Sequence, residues 1–266
     1  MFGLNNNSVD ENIKNPPADV PYPIVNALFS KNHEVTISSL SITMLDLINQ
    51  DQIKCDIEFD ESYCVGDKLT SDDLEVMKKI TLRIANKGEL KTSETLAINL
   101  IKNINKNKKF NLKSIAKQSN NSSIANKFEK DYNEFVKALK NENGFDGANY
   151  KDILQNAKST NKGKEIKNKW KQYKEYLKSK DLTEKYPPES VLENSTQVLY
   201  GSCFDIEKDV LKIRENNTPL TDFIDKDGYK LLNIIFNNAL LNVTEKRKGD
   251  GIFYGVNDKY TIPGGG

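Results

Sequence analysis

Five apolar side chains, Ile124, Phe128, Tyr132, Phe135 and Leu139, recur at spacings of four, four, three and four. That period places all five on one stripe of an α-helix, whereas a strand would send successive side chains to opposite faces. Such a helix is stable in a protein only when another element covers its stripe, so the chain is predicted to fold around helix packing. Ser122 opens the helix, and the turn residues from Asn141 to Gly147 close it. Ile166, Trp170, Tyr173 and Leu177 repeat the pattern in a helix predicted over 163–180. Pro187-Pro188-Glu189-Ser190 marks the next start, with helices expected over Val191–Phe204, Asp205–Arg214 and Tyr229–Val243. The last is apolar most of the way round and is expected to be the central core helix.

The first half mixes periods. Pro16-Pro17-Ala18-Asp19-Val20-Pro21-Tyr22-Pro23 is an extended lead-in that cannot enter a helix interior. Ile24, Val25, Leu28 and Phe29 fit one helical face, and Val35-Thr36-Ile37 reads as a short β-branched strand. Ile42, Met44, Leu45, Leu47 and Ile48 form a second helix, with Ser38, Ser39 and Ser41 as cap candidates. Ile53, Cys55, Ile57 and Phe59 alternate with polar residues as a half-buried strand does, and Asp60-Glu61-Ser62 turns into Tyr63-Cys64-Val65. An acidic helix over 70–79 and a strand over 80–86 follow. Helix, strand, helix and hairpin in this order resemble a winged-helix module. A second pass has a helix from Ser93 carrying Leu96, Ile98, Leu100, Ile101 and Ile104, an extended Phe110-Asn111-Leu112 and a short helix to Gln118.

The fold class expected is therefore mainly α with small α+β parts, winged-helix-like modules followed by a helical bundle. The divisions are a disordered N-terminus (1–15), a winged-helix-like module (16–90), a second winged-helix-like or helical module (91–160), a helical C-terminal domain (161–243) and a flexible Gly-containing tail (244–266).

Motifs of chemistry are scarce. The single histidine, His33, excludes the ordinary Ser-His-Asp and Cys-His nucleophiles and histidine-rich zinc sites, and it is expected in an exposed loop. Cys55 and Cys64 lack neighbouring ligands for zinc, and three cysteines make no disulfide framework. Asp225-Lys226-Asp227-Gly228 fails as a calcium loop, because aligning Gly228 with the sharp turn puts Phe223 and Ile234 where ligands belong. No glycine-rich dinucleotide, Walker or nucleophile-elbow sequence occurs. The expectation is a protein that is not an enzyme, with no cofactor, no metal and no small-molecule ligand.

Charge carries more information than motif. The formal net charge is only +1, and the arginines are Arg83, Arg214 and Arg247 against many lysines. Arginine supplies bidentate contacts to phosphates and guanine edges, so nucleic acid is an unlikely partner. The helix that would read DNA, residues 38–49, has no Lys or Arg and precedes an acidic hairpin, which a polyanion repels. Lys102, Lys106, Lys108, Lys109, Lys113 and Lys117 in the second module keep a DNA-binding winged-helix regulator as the alternative. Residues 56–75 hold eight acids and one lysine, whereas residues 158–180 hold nine lysines and two glutamates. Lys164, Lys167, Lys171, Lys174 and Lys178 beside the Trp170 stripe are the candidate interaction residues. They suit a solvated helix face whose apolar stripe packs on the core, and equally the acidic hairpin of this or another chain, an unidentified protein partner or an anionic membrane surface.

Several stretches share a resemblance. They are Pro16–Pro23, then Thr43-Met44-Leu45-Asp46-Leu47-Ile48; Trp170-Lys171-Gln172-Tyr173-Lys174-Glu175-Tyr176-Leu177 with Glu184–Ser190; Val198-Leu199-Tyr200-Gly201-Ser202-Cys203-Phe204; and the terminal Pro263-Gly264-Gly265-Gly266. Together they resemble the cytoplasmic region of a family of predicted membrane proteins of unknown function with a glycine-rich C-terminal tail. Asn194 stands where the resemblance leads one to expect tryptophan, and Asp205 where it leads one to expect glycine. The resemblance implies no activity and no catalytic residue. Met1 to Ser8 lacks a signal peptide's basic start and apolar core, and no run of eighteen apolar residues occurs. The expected location is cytoplasmic, with membrane-peripheral attachment in view. The expected function is a non-enzymatic interaction module making protein–protein contacts near the cytoplasmic membrane face.

Overall fold

Proline starts the first helix. The computed structural model of this protein describes residues 14–57, 75, 77–85, 88–105, 109–118, 121–142, 150, 154–155, 161–185, 187, 191–214, 231–232 and 235–236. Helix α1 (Tyr22–Phe29) carries Pro23 in its first turn, where a missing N–H leaves no helical bond unmade. Helix α2 (Ile37–Asn49) follows. The strand expected at Val35–Ile37 is instead its start: Thr36 is the N-cap, with extended φ and ψ of −111° and 175°. Ser39 Oγ accepts the Thr36 N–H at 3.1 Å, so a β-branched residue serves here as a cap rather than in a ladder.

Strand β1 (Ile53–Ile57) pairs antiparallel with β2 (Ile80–Ile84), Cys55 standing opposite Leu82. Beyond helix α3 (Thr92–Ile104), β3 (Lys109–Asn111) pairs with the other edge of β2. The three-stranded sheet therefore spans residues on both sides of position 90, and its middle strand is β2. The hairpin partner Tyr63–Val65, with Phe59 and Cys64, lies outside the described residues, as do residues 1–13, residues 58–74 of the acidic segment 56–75, and the tail from 237. Of the helix expected at Tyr229–Val243, Leu231, Leu232, Ile235 and Phe236 are described, and all four are helical and buried.

The remaining helices follow the apolar periods closely. They are α4 (Leu112–Gln118), α5 (Ser122–Asn141), α6 (Asn161–Lys178), α7 (Lys180–Lys185), α8 (Val191–Cys203) and α9 (Glu207–Arg214). Asn121 caps α5, its Oδ1 accepting the N–H groups of Ser123 and Ile124 at 3.0 and 3.4 Å. The α5 stripe of Phe128, Tyr132, Phe135 and Leu139 is buried, and α5 packs on α3. The protein is thus mostly helical with a small antiparallel sheet, and one hydrophobic cluster runs from Val20 to Phe236.

Helices far apart in sequence are joined through Asn26. Its Oδ1 accepts from Ser39 Oγ at 2.7 Å and Thr36 Oγ1 at 3.3 Å, and its Nδ2 donates to the Cys203 carbonyl at 3.2 Å. One amide side chain thus ties α1 to the start of α2 and to the end of α8. Rings close the same seam, with Tyr22 and Tyr200 centroids 4.6 Å apart and Phe29 and Phe204 at 4.8 Å. At Gly201 a Cβ would meet Val210 Cγ2 at 2.9 Å, so glycine is what lets α8 and α9 lie so close. The chain leaves α8 through Asp205 in the left-handed region (φ 58°), where the Ile206 N–H bonds the Gly201 carbonyl at 2.9 Å. Glycine, the residue expected at 205 from the resemblance, adopts that conformation without penalty.

Candidate functional site

Helix α6 has two unlike sides. Trp170, Tyr173, Tyr176 and Leu177 are at most 1 % exposed, and the Trp170 ring lies 5.3 Å from Tyr200 and 6.1 Å from Tyr173. Packing of Trp170 and Tyr173 against Tyr200 of α8 fixes the rotation of α6 about its axis. Lys164, Lys167, Lys171, Lys174 and Lys178 follow at spacings of three, four, three and four, which puts them on one stripe along the flank of that buried face.

The stripe is built in two layers. Lys164, Lys171 and Lys178 are exposed, whereas Lys167 and Lys174 are half-buried. Each of the two half-buried lysines holds its Nζ 5.8 Å from the centroid of Phe29, so one ring of α1 faces two ammonium groups. Lys174 donates to the Phe204 carbonyl at 2.9 Å, just past the end of α8, where the helix dipole favours a cation. Lys167 Nζ lies 3.4 Å from His33 Nε2. His33 is therefore half-buried beside α6 rather than loose in an exposed loop, and its φ of 55° turns the α1–α2 connection toward the lysines. Burial, followed by the neighbouring charge of Lys171, pulls the Lys167 ammonium below its usual range.

Among the described residues none of the five stripe lysines forms an ion pair. Their neighbours off the stripe do: Lys169 meets Glu165 at 3.4 Å, and Lys180 meets Glu184 at 3.5 Å. Of these pairs only Lys169–Glu165 lies on α6, and it engages a lysine outside the stripe; Lys180 and Glu184 both belong to α7. The acidic segment that composition singles out as an internal counterpart falls mostly outside the described residues.

Two other places hold polar groups away from water. Asp46 on α2 has its pKa raised to about 6, mainly by burial and further by Glu94, against the opposing effects of the Gln50 hydrogen bond and Lys91. Nearby, the buried Cys203 donates through Sγ to the Tyr22 carbonyl at 3.3 Å, and burial pushes its thiol up, away from the reactive thiolate form. A cleft of about 310 Å³ is lined by Pro21, Lys91, Thr92, Glu142 and Tyr150. There Glu142 Oε1 accepts the Ser93 N–H at 2.8 Å at the start of α3, while its buried Oε2 has no partner among the described residues. Burial, then Asp19 and Glu142, pushes the Tyr150 hydroxyl up to about 12. Sequence reasoning missed this cleft because Ser93 and Glu142 are 49 residues apart and neither belongs to a motif. Among the described residues no group of His, Cys, Asp and Glu could hold a metal ion.

A family model described as "Predicted membrane protein (DUF2207) C-terminal domain" matches residues 13–159. Neither a curated protein nor a solved structure matches the chain. Among the described residues no helix is long and apolar enough to cross a membrane.

Proposed function

We propose, since this chain belongs to the family of predicted membrane proteins whose C-terminal domain its residues 13–159 match, that it is a non-catalytic interaction module working beside a membrane, on the cytoplasmic side. The observation that carries the reading is the stripe Lys164, Lys167, Lys171, Lys174 and Lys178, which has no carboxylate partner among the described residues. A chain with a net charge of only +1 has sorted five cations onto one flank of a helix whose other side is core. Packing does not require that arrangement, because alternating signs would solvate the flank equally well. It suits contact with an anionic macromolecular surface, where like-signed residues raise both the encounter rate and the affinity.

The DNA-binding alternative has less support. Ten of the thirteen residues of α2 are buried, so it offers no broad exposed face to a groove. Binding of the full chain to immobilised polyglutamate tests the module reading. Retention that falls with salt, and is lost when the five lysines become glutamine, is expected. Passage of the unaltered chain through the matrix at low salt would contradict it.

A further inference from the structure

We infer that the stripe from Lys164 to Lys178 is a docking face for anionic phospholipid headgroups, an assignment that rests on the interaction-module reading and names its partner. Four features favour lipid over an acidic protein. The first is geometry: the stripe spans fourteen residues of one helix, about 21 Å at 1.5 Å per residue, and its exposed members recur every two turns, about 10.5 Å apart. A straight row of this kind meets a plane of charge along its whole length.

The second is the chemistry of the cation. All five are lysines, compact and strongly hydrated point charges that need no particular partner geometry. Recognition of a specific carboxylate favours the planar fork of arginine, and α6 has no arginine. The third is how the stripe is braced. The Phe29 ring and the Phe204 carbonyl hold Lys174, and Phe29 and His33 flank Lys167. These contacts leave Lys164, Lys171 and Lys178 exposed at the outer layer. The fourth is context, because the family is one of predicted membrane proteins, so an anionic bilayer surface is the polyanion nearest to hand.

The apolar side of α6 is committed to the protein's own core, with Trp170 only 1 % exposed. Docking is therefore electrostatic and superficial, unlike that of an amphipathic helix that buries its apolar face among acyl chains.

The experiment is co-sedimentation of the full chain with phosphatidylcholine vesicles, with and without phosphatidylserine, alongside the polyglutamate arm. Binding is expected only where phosphatidylserine is present and is expected to disappear at high salt. Each of Lys164→Gln, Lys171→Gln and Lys178→Gln should weaken it about fivefold, and the triple variant about a hundredfold. The three Lys→Arg changes should retain binding. Fluorescence of Trp170, the single tryptophan, should not move on binding, since the ring stays in the core. Equal binding to both vesicle types, or unchanged binding by the triple glutamine variant, would overturn the assignment. Salt-sensitive, lysine-dependent binding to polyglutamate without binding to either vesicle would overturn the lipid assignment and leave the module reading standing. Binding to neither would remove both.

Discussion

Helices α5 and α6 are alike on the inside and opposite on the outside. Each carries an aromatic stripe into the core, led by Phe135 at 0 % exposed in α5 and Trp170 at 1 % in α6. On its polar side α5 mixes four lysines with three acids, and Asn103 of α3 joins Lys127 to Asp131 through bonds of 2.9 and 2.7 Å. Helix α6 has seven lysines and two glutamates, and its stripe lysines lack acidic partners among the described residues. The fold needs the inner stripes in both helices. It needs no charge skew, as α5 demonstrates. The excess on α6 is therefore not something packing requires, and the proposed docking rests on it.

The largest effects should fall where the two helices agree. Phe135→Ala and Trp170→Ala should each destabilise by about 3–5 kcal/mol, read from urea unfolding. A loss under about 1 kcal/mol at Trp170 would mean that α6 is not anchored in the shared core, and the comparison would break.

Charge should matter most to stability at Asp46 of α2, a partly buried carboxyl whose titration is shifted strongly by burial. Its folded pKa, about 6, lies above the 3.8 ordinary for an aspartate, so the folded chain holds the proton more tightly. The sign follows: stability is greatest below about pH 4 with respect to this group, and is lost as pH rises through about 6. Asp46→Asn should then stabilise by up to about 3 kcal/mol at pH 7, with the gain vanishing toward pH 4. Denaturation curves at the two pH values measure it, and a pH-independent gain would remove the burial explanation.

A smaller gain is expected at the turn after α8. Asp205→Gly relieves a left-handed residue and should add about 0.5–1 kcal/mol, visible as a higher unfolding midpoint. Smallest of all is the stability effect of changing the three exposed stripe lysines, Lys164, Lys171 and Lys178, to glutamine, expected to stay within about 0.5 kcal/mol per site and to sum to little. A marked loss of stability in that variant would show the stripe to be structural and would erase the contrast with α5.

Much of the helical frame was legible in the sequence because its signals are local. The spacing of Ile124 to Leu139 located α5, and the boundary expected between Phe204 and Asp205 falls between α8 and α9, although Asp205 itself lies in the turn and not in the helix expected to start there. Val35–Ile37 misled because β-branching marks a strand only when a ladder partner exists, and Thr36 found a cap instead. The pairing of Ile53 with Ile84 and of Leu82 with Phe110 was not readable, since strand partners separated by a helix leave no local mark. Asn26 was invisible for the same reason: its Cys203 contact lies 177 residues away. The lysine stripe was legible as composition and spacing. Its bracing by Phe29, His33 and Phe204 was not, because those residues reach α6 only through the fold.

The most direct measurement is the affinity of the unaltered chain and the five-glutamine variant for phosphatidylserine vesicles over a range of salt. Raising ionic strength from 0.1 M to 1 M shortens the screening length from about 10 Å to about 3 Å. The account predicts a steep fall for the unaltered chain and a weak, flat response for the variant. Equally steep curves for both would contradict it.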